Sequence, residues 1–326
     1  DATLATEVSP ARPPPAPDLS ATLAGALAGS WVLEREIGAG GGGVVWLARQ
    51  PSTGRRAALK ILRRELVESP TMLARFSREI MAVNAIHHPG VVEAYEVGRL
   101  EDGRPFFAME YLRGTDLNRY LYLHGRLAPA EALEILEPVC RCLAVAHQAG
   151  FVHRDLKASN IHLVDTDSGR VVKVLDWGIA KLLHPEPGAP GLTETGMVLG
   201  TCHAMAPEQI LATGVDARSD VYALGALLFR LLTARHVFTS DNTSDVLLMH
   251  LQAKPPRPSD FAPVPPAVDE VVARCLAKSP SDRYNDVTTF LADLRRACGL
   301  GAVVPGEQSS VRGVAVLVML KCDLES

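Results

Sequence analysis

The chain has 326 residues, of which 47% are hydrophobic and 21% are charged, and a formal net charge of −4, which is typical of a soluble globular protein with ample core. The small negative charge gives no reason to expect a nucleic acid or an anionic membrane as partner, and no stretch reaches the roughly 18 apolar residues that a membrane helix needs. The six scattered cysteines have neither disulfide nor zinc-site spacing, so we expect reduced thiols and a cytoplasmic location, although a longer full-length protein could carry a membrane anchor.

The two ends of the chain differ in composition from its middle. Residues 1–29 are rich in alanine and proline and cannot bury enough apolar surface to offset their ordering entropy, so we predict a flexible tail. A first structured unit is expected at 30–112 and a second at 113–299. Residues 300–326 indicate a linker followed by an apolar stretch, Val314–Leu320, that could begin a further domain or be an exposed tail.

Hydrophobic periodicity predicts strands first and helices afterwards. Alternation favours strands at Trp31–Ile37, Val44–Ala48, Ala57–Leu62 and Phe106–Leu112. Helical spacing is found in six segments, which are Pro70–Ile86, Pro129–Gly150, Asp220–Thr233, Thr243–Ala253, Ala267–Lys278 and Val287–Ala297. This order predicts an α+β fold with a small β-rich lobe carrying one main helix and a larger helical lobe.

A glycine cluster lies between the first two predicted strands, where Gly38, Gly40, Gly43 and Val45 fit the pattern GxGxxGxV. Glycines there allow a tight hairpin whose backbone N–H groups can approach phosphates without obstruction by side chains. Taken alone, the cluster could equally be a flexible loop.

A lysine ends the third predicted strand, in Ala57-Ala58-Leu59-Lys60. Such a lysine could simply extend its amine to solvent. Next to the glycine cluster, Lys60 becomes a candidate for binding the α- and β-phosphates. Glu79, on the helix that follows, could pair with Lys60 or be an ordinary solvated helix charge.

The segment His153-Arg154-Asp155-Leu156-Lys157-Ala158-Ser159-Asn160 carries three groups suited to phosphoryl transfer. Asp155 can accept a proton from a substrate hydroxyl, and Lys157 can steady a γ-phosphate. The amide oxygen of Asn160 can bind a metal ion.

Two further motifs follow in order. Leu175-Asp176-Trp177-Gly178 offers the Asp176 carboxylate for magnesium next to a flexible glycine, and Ala206-Pro207-Glu208 follows at the distance typical of an activation segment. Each short motif could arise by chance. The complete set, in this order and at these separations, is far more specific than any of its parts.

The ordered set resembles the bacterial branch of the Hanks-type serine/threonine protein kinases, from about Trp31 to about Cys298. The resemblance implies a bilobal kinase fold and transfer of the γ-phosphate of ATP, with Mg²⁺ or possibly Mn²⁺, to serine or threonine hydroxyls of protein substrates. It implies the catalytic residues Asp155, Lys157, Lys60 and Glu79 and the metal ligands Asn160 and Asp176. The nucleotide-binding residues that it implies are Gly38, Gly40, Gly43, Val45, Ala58, Lys60, Met109, Glu110, Leu112, Asp116 and His162.

The same resemblance assigns supporting roles. Met109 is implied as the gatekeeper, Glu110 to Leu112 as the hinge that binds adenine, and Asp116 as a ribose contact. It also implies that Asp220 braces the catalytic loop from a buried helix, that Glu208 pairs with Arg283, and that Lys157 and Thr201 mark a serine/threonine kinase.

Four residues depart from the usual family pattern. Trp177 replaces a phenylalanine but still supplies a large apolar side chain. Cys202 and Ala204 replace a proline and a tyrosine, which affects the expected substrate preference. Cys202 could be sensitive to oxidation, although a small inert loop residue is the simpler interpretation. His162 stands where a leucine or methionine normally covers adenine from below, and we expect its neutral imidazole to do the same, unless a neighbour covers the base instead.

Regulation is expected in the segment between Asp176 and Ala206. Thr193 and Thr195 form the Thr-x-Thr pair on which bacterial relatives autophosphorylate, and a phosphate there could pair with Arg154. Both could instead be ordinary exposed threonines. Autophosphorylation between two molecules would imply a homodimer.

Three alternative functions agree less well with the sequence. A pseudokinase normally lacks part of the catalytic set, which is complete here. A small-molecule kinase of the aminoglycoside or choline type generally lacks the Ala206-Pro207-Glu208 segment and Gly200-Thr201. A purely interacting domain would have no need of Asp155 or Asp176.

Overall fold

The computed structural model describes residues 23–40, 43–166, 169–177 and 202–300, and in these ranges a strand-rich first part with one main helix precedes a largely helical second part, as expected. The strands are β1 (Leu27–Ala28), β2 (Trp31–Ala39), β3 (Gly43–Arg49), β4 (Arg56–Leu62), β5 (Ala94–Arg99), β6 (Pro105–Glu110), β7 (Gly114–Asp116), β8 (Ile161–Thr166) and β9 (Gly169–Val174). The α-helices are α1 (Pro70–Ala85), α2 (Leu117–His124), α3 (Pro129–Gln148), α4 (Pro207–Ile210), α5 (Ala217–Thr233), α6 (Thr243–Gln252), α7 (Pro266–Cys275) and α8 (Val287–Ala297).

The first lobe is a six-stranded antiparallel sheet in the order β1-β2-β3-β4-β6-β5. Side chains join its two edges. The Glu96 carboxylate on β5 accepts hydrogen bonds from Ser30 Oγ at 2.6 Å and Trp31 Nε1 at 2.9 Å, and the Trp31 ring stacks on Tyr95. The sheet is therefore strongly curved, so that the edge strand β5 contacts the turn between β1 and β2.

The alternation that predicts these strands also divides their side chains between two faces. The residues of one face fill the inside of the curled sheet and include Trp46, Ala48, Ala57, Leu59, Ile61, Phe106 and Ala108. On the opposite face, Phe107 and Met109 pack with residues of α1 and of the second lobe. The same sequence pattern thus builds one core inside the sheet and leaves the other face for the cleft.

Helix α1 begins at Pro70, directly after its N-cap Ser69, whose side chain accepts a hydrogen bond from the Met72 N–H. Proline at the first helical position needs no N–H partner and is already at a helical φ. Phe76 and Val83 turn inward and are buried. The predicted helix at Pro70–Ile86 is therefore confirmed to within one residue.

The second lobe is organised around α5. Asp216 caps its start by accepting the Arg218 N–H at 2.8 Å, and the helix ends at Ala234 in a left-handed conformation. Helices α3, α7 and α8 pack around it in one apolar core. A three-stranded sheet, β7-β8-β9, lies where this lobe faces the first.

Several short elements differ from the sequence prediction. Residues 23–29, placed in the flexible tail, include β1, which pairs with β2 and buries Ala28. The sequence does not predict the strands β5, β7 and β9 or the helices α2 and α4, because these elements are short and bury few residues. The strand expected at Phe106–Leu112 ends at Glu110. None of the helices in the described ranges combines the length and apolarity that crossing a bilayer requires. Residues 1–22 and 301–326, with the tail and the apolar stretch expected there, lie outside the described part of the chain.

Candidate active site

The glycine cluster forms the hairpin between β2 and β3. The Gly40 N–H donates to the Gly43 carbonyl oxygen at 2.9 Å across the turn. A Cβ at Gly43 would lie 2.4 Å from the Ile61 carbonyl oxygen, so no other residue fits there without displacing β4. Gly38 and Gly40 lie in open surroundings, and Gly41 and Gly42 are outside the described residues.

The sheet register places the expected nucleotide-binding residues of the first lobe on one face. One residue from each of four neighbouring strands forms a row, which consists of Gly38, Val45, Lys60 and Phe107. Ala58 and Met109 form the pair two residues further along the strands and therefore face the same way. The lysine, the alanine and the gatekeeper position therefore line the same side of the sheet.

Lys60 joins α1 to the segment that follows β9. Its Nζ donates to both carboxylate oxygens of Glu79, at 2.6 and 2.8 Å, and to Asp176 Oδ1 at 2.8 Å. Burial opposes the charge on the amine, but the two carboxylates outweigh it and raise the pKa of Lys60 above its usual value. The expected contact between Lys60 and Glu79 is confirmed.

Asp176 has a backbone φ of 51°, in the left-handed region that non-glycine residues rarely adopt. The positive charge of Lys60 lowers the pKa of this carboxyl, which keeps it ionised. Trp177 is fully buried beside it and packs on the His153 ring at a centroid distance of 5.0 Å. Trp177 thus fills the apolar role expected of it.

The catalytic loop is held together by its own side chains. Asp155 Oδ2 accepts from Lys157 Nζ at 2.9 Å, and Asn160 Nδ2 donates to the Asp155 carbonyl oxygen at 2.8 Å. The Asn160 amide N–H is therefore directed back into the loop, while its Oδ1 accepts a hydrogen bond from Ser159 Oγ at 3.5 Å. The three residues that the sequence singles out in this loop are brought together.

A buried carboxylate braces this loop from α5. Asp220 accepts from the backbone N–H of His153 and of Arg154, both at 2.8 Å, and from His147 Nε2 at 2.7 Å. Burial alone would raise the pKa of Asp220, but these donors outweigh it and lower the pKa. Arg154 has a φ of 66°, so the brace stabilises a strained backbone immediately before Asp155.

An ion pair lies below the loop. Both nitrogens of the Arg283 fork donate to Glu208, at 2.7 and 2.8 Å, and Ser219 Oγ donates to the same carboxylate at 2.6 Å. This contact confirms the expected pairing of Glu208 with Arg283. Gln209 Nε2 donates to the Arg154 carbonyl oxygen at 2.8 Å and so ties α4 to the catalytic loop. No sequence signal singled out Ser219 or Gln209.

The hinge residues join the two lobes. The Glu110 N–H donates to the Glu93 carbonyl oxygen at 2.9 Å, and the Glu110 carboxylate accepts from Lys173 Nζ at 2.7 Å. Within the described ranges, the half-buried Leu112 N–H has no hydrogen-bond partner. This donor is therefore open to a ligand.

His162 lies in the middle of the sheet that faces the first lobe. On β8, it is paired with Asp116 of β7 on one side and with Lys173 of β9 on the other, so the three side chains lie on the same face of the sheet. Its neighbours Ile161 and Leu163 turn into the lobe core, as alternation predicts. The Asp116 carboxylate accepts the Arg119 N–H at 2.9 Å and caps α2, in addition to any ribose contact.

Cys202 begins the last range of residues that the structure describes. Cys202 is buried, in agreement with the inert interpretation. Thr193, Thr195 and Thr201 lie outside the described residues.

The oxygen donors at the site fit a hard divalent cation. Mg²⁺ prefers carboxylate and amide oxygens and usually takes its other ligands from phosphates and water. Asp176 supplies an ionised carboxylate, and Asn160 supplies an amide oxygen. No cluster of three or more His, Cys, Asp or Glu side chains suited to a metal occurs among the residues that the structure describes, so a cation here would depend on the phosphates of a bound nucleotide.

Comparison with known proteins agrees with this geometry. The model of the protein kinase domain family matches residues 31–293. Serine/threonine-protein kinase Pkn1 of Myxococcus xanthus is 39% identical over 297 residues, which are 90% of this chain and 42% of that protein. PknB of Mycolicibacterium smegmatis is 38% identical over 264 residues, which are 80% of this chain and 41% of that protein.

A solved structure, that of the Mycobacterium tuberculosis PknI kinase domain, is 27% identical with a TM-score of 0.67 and covers 85% of this chain and 99% of its own. The chain spans about two fifths of the length of the two curated relatives named above. Because the family model matches most of the sequence, the chain belongs to the protein kinase domain family.

Proposed function

We propose that this chain is an ATP-dependent protein kinase that phosphorylates serine and threonine hydroxyls of protein substrates. The observation that carries the proposal is the three-way contact of Lys60 with Glu79 and Asp176, beside a catalytic loop in which Asp155, Lys157 and Asn160 lie together. This complete set argues against a pseudokinase. The serine/threonine kinases named above, which resemble it over most of its length, support the same activity.

Each residue has a defined role in this reaction. Asp155 orients the substrate hydroxyl and accepts its proton as the oxygen bonds to the γ-phosphorus, while the bond from that phosphorus to the ADP oxygen breaks. Lys157 stabilises charge on the transferred group, and Lys60, positioned by Glu79, holds the α- and β-phosphates. Catalysis is therefore mainly positioning and charge stabilisation.

Asp176 and Asn160 are the residues that would hold the metal, which we propose is Mg²⁺ with Mn²⁺ as a substitute. The metal would neutralise phosphate charge and fix the phosphate geometry. The hinge at Glu110 to Leu112 binds the adenine edge, and Val45, Ala58, Met109 and His162 enclose the base.

The test is phosphoryl transfer by Asp155→Asn. We expect activity to fall by at least about 10²-fold, since general-base catalysis contributes that much, while binding of an ATP analogue stays close to wild type. Asp165→Asn is the matched control, because Asp165 lies exposed on β8 and pairs only with Arg170 among the described residues. Transfer of labelled phosphate at the wild-type rate by the Asp155→Asn protein would refute the assignment.

We also propose that Thr193 and Thr195 are autophosphorylated, by a second copy of the chain in a transient homodimer, and that this raises activity. A phosphothreonine adds a charge of about −1.5 to −2, enough for several charge-assisted hydrogen bonds. Mass spectrometry after incubation with Mg-ATP identifies the modified residues. The proposal fails if the Thr193→Ala/Thr195→Ala protein phosphorylates an added substrate at the full rate.

A further inference from the structure

The central helix α5 has one partly exposed residue, Arg230, near its C-terminal end. Every residue from Ser219 to Thr233 is buried except Arg230, which is half-buried. Its guanidinium donates to the Asn118 side-chain oxygen and forms no salt bridge within the described ranges. A guanidinium stays charged at all ordinary pH values, so this is a fixed positive charge without a bonded anion.

Two histidines lie beside this arginine. The rings of His203 and His236 stack at a centroid distance of 3.9 Å, and His203 Nδ1 donates to the Phe238 carbonyl oxygen at 3.2 Å. Burial lowers the pKa of both imidazoles, and the positive charge of Arg230 adds to this effect in each. Together with the other neighbouring groups, these effects lower the pKa of His236 to about 3. Near neutral pH the pair is therefore uncharged and polar. We call Arg230, His203 and His236 the Arg230 patch.

The patch lies along the second lobe beside the reaction centre. His203 belongs to the turn Cys202–Ala204, which leads directly into Ala206 and to Gln209, the residue bonded to the Arg154 carbonyl next to Asp155. On the other side of the patch, Asn118 lies two residues after Asp116, and Asp116 is paired with His162 at the floor of the cleft. A polypeptide that presents a hydroxyl to Asp155 would lie on this surface.

The charges around the patch do not balance. Among the residues that the structure describes, the one carboxylate that acts on Arg230 is that of Asp116, and one of its oxygens already caps α2. His250 also acts on His236, but burial lowers the pKa of His250 to about 3, so it is neutral near pH 7 and supplies no negative charge. An arginine and a carboxylate can form two parallel charge-assisted hydrogen bonds. A lysine or a neutral side chain of the substrate could not form this pair with Arg230.

We propose that the Arg230 patch binds an acidic side chain of the protein substrate, so that aspartate or glutamate near the phosphorylated hydroxyl favours phosphorylation. This inference rests on the proposed kinase function and adds the class of substrate. Arg230 acts here as a specificity-determining residue that contacts the peptide, and it has no part in the transfer of the phosphoryl group.

The test compares matched peptides that carry glutamate, glutamine or lysine at each position flanking one serine. For the wild-type protein we expect kcat/KM to be about tenfold higher for the best glutamate peptide than for its glutamine counterpart, mainly through KM. Arg230→Gln should abolish this difference, and Arg230→Glu should favour lysine at the same position. Arg296→Gln, which removes an exposed arginine from α8, should keep the wild-type preference, and KM for ATP should not change in any variant.

The peptide comparison on the wild-type protein decides the matter even where a variant folds poorly. Equal kcat/KM for the three peptide classes would overturn the substrate assignment and leave the kinase function standing. An acidic preference that persists in Arg230→Gln would overturn the role of the patch. Absence of transfer to any peptide or protein would refute the proposed function itself.

Discussion

His162 is the residue of the proposed nucleotide site at which the sequence departs from the apolar side chain that the family resemblance leads us to expect. Burial lowers the pKa of its imidazole, and the Asp116 carboxylate across the strand only partly offsets that effect. Lys173, on its other side, is held by Glu110. The ring is therefore neutral at pH 7 and can cover adenine as an apolar side chain would.

This environment predicts a pH-dependent affinity for ATP. A base stacked on His162 removes more water from the ring, so the bound state disfavours the charged form further and protonation opposes binding. The dissociation constant of an ATP analogue should then rise as the pH falls through the lowered pKa of this imidazole, with up to a tenfold effect for each unit of pKa difference between the free and the ATP-bound protein. Titration between pH 5.5 and 8 with wild type and His162→Leu measures this. The same pH dependence in both proteins would show that His162 does not cover the adenine.

Whether a residue of the site can be predicted from the sequence depends on whether it belongs to a recognisable motif. Lys60, Glu79 and Asp155 could be predicted because their chemistry recurs at characteristic spacings. His147, Gln209 and Ser219 could not, because their partners lie 73, 55 and 11 residues away and only the fold brings them together. A histidine, a glutamine or a serine in such a position has no distinguishing pattern in the sequence.

The length of a helix or strand and the number of residues that it buries explain whether it can be predicted from the sequence. Helix α5 has 17 residues and is buried over nearly all of its final four turns, so its periodic pattern is strong. Helix α2 has 8 residues and buries only Leu117 and Leu121, too few to define a period. The ordered start at β1 was missed for the same reason, since its two residues acquire a structure only by pairing with β2.

The junction of α4, α5 and the segment before α8 depends on the ion pair of Glu208 and Arg283. The Arg283 side chain is fully buried and that of Glu208 is 6% exposed. Removing one partner leaves a buried charge without compensation, which costs about 3–5 kcal/mol. The hydrogen bonds of Arg283 to the Ala277 and Lys278 carbonyl oxygens would remain, but they carry no full negative charge.

We therefore expect Glu208→Ala to lower the free energy of unfolding by about 3–5 kcal/mol. Burial raises the pKa of Glu208, but hydrogen bonds from Arg283 and Ser219 outweigh it, so the folded pKa lies below the usual value. A depressed carboxyl pKa contributes stability at neutral pH that is lost as the pH falls through the folded pKa. The loss caused by the mutation should thus be largest at pH 7 and smaller at low pH.

Urea unfolding at pH 7 and below pH 4 measures both effects. The control is Arg296→Ala, which breaks an exposed pair with Asp293 and should cost no more than about 1 kcal/mol. An effect of Glu208→Ala equal to that of the control, or independent of pH, would contradict a structural role for the buried pair.

The described part of the molecule has two hydrophobic cores, which meet at the proposed nucleotide site. One core lies inside the curled sheet of the first lobe, and the other extends through the second lobe and includes Phe107 of β6. Lys60 from the first lobe and Asp176 from the second are in direct contact. A ligand that engages both sides of the cleft should therefore stabilise the folded molecule as a unit.

Thermal unfolding tests this coupling. A ligand that binds only the folded state at about 100 times its Kd contributes about 2.7 kcal/mol, which corresponds to a rise in Tm of about 5–10 °C for a domain of this size. We expect this rise with a non-hydrolysable ATP analogue and Mg²⁺, and a smaller one when the metal is chelated. Asp176→Asn should lose the metal-dependent part of the rise, because its amide cannot replace an ionised carboxylate on the cation, whereas Asp165→Asn should retain it. If Asp176→Asn gained the full metal-dependent rise, the metal would have to be held elsewhere than between the two lobes.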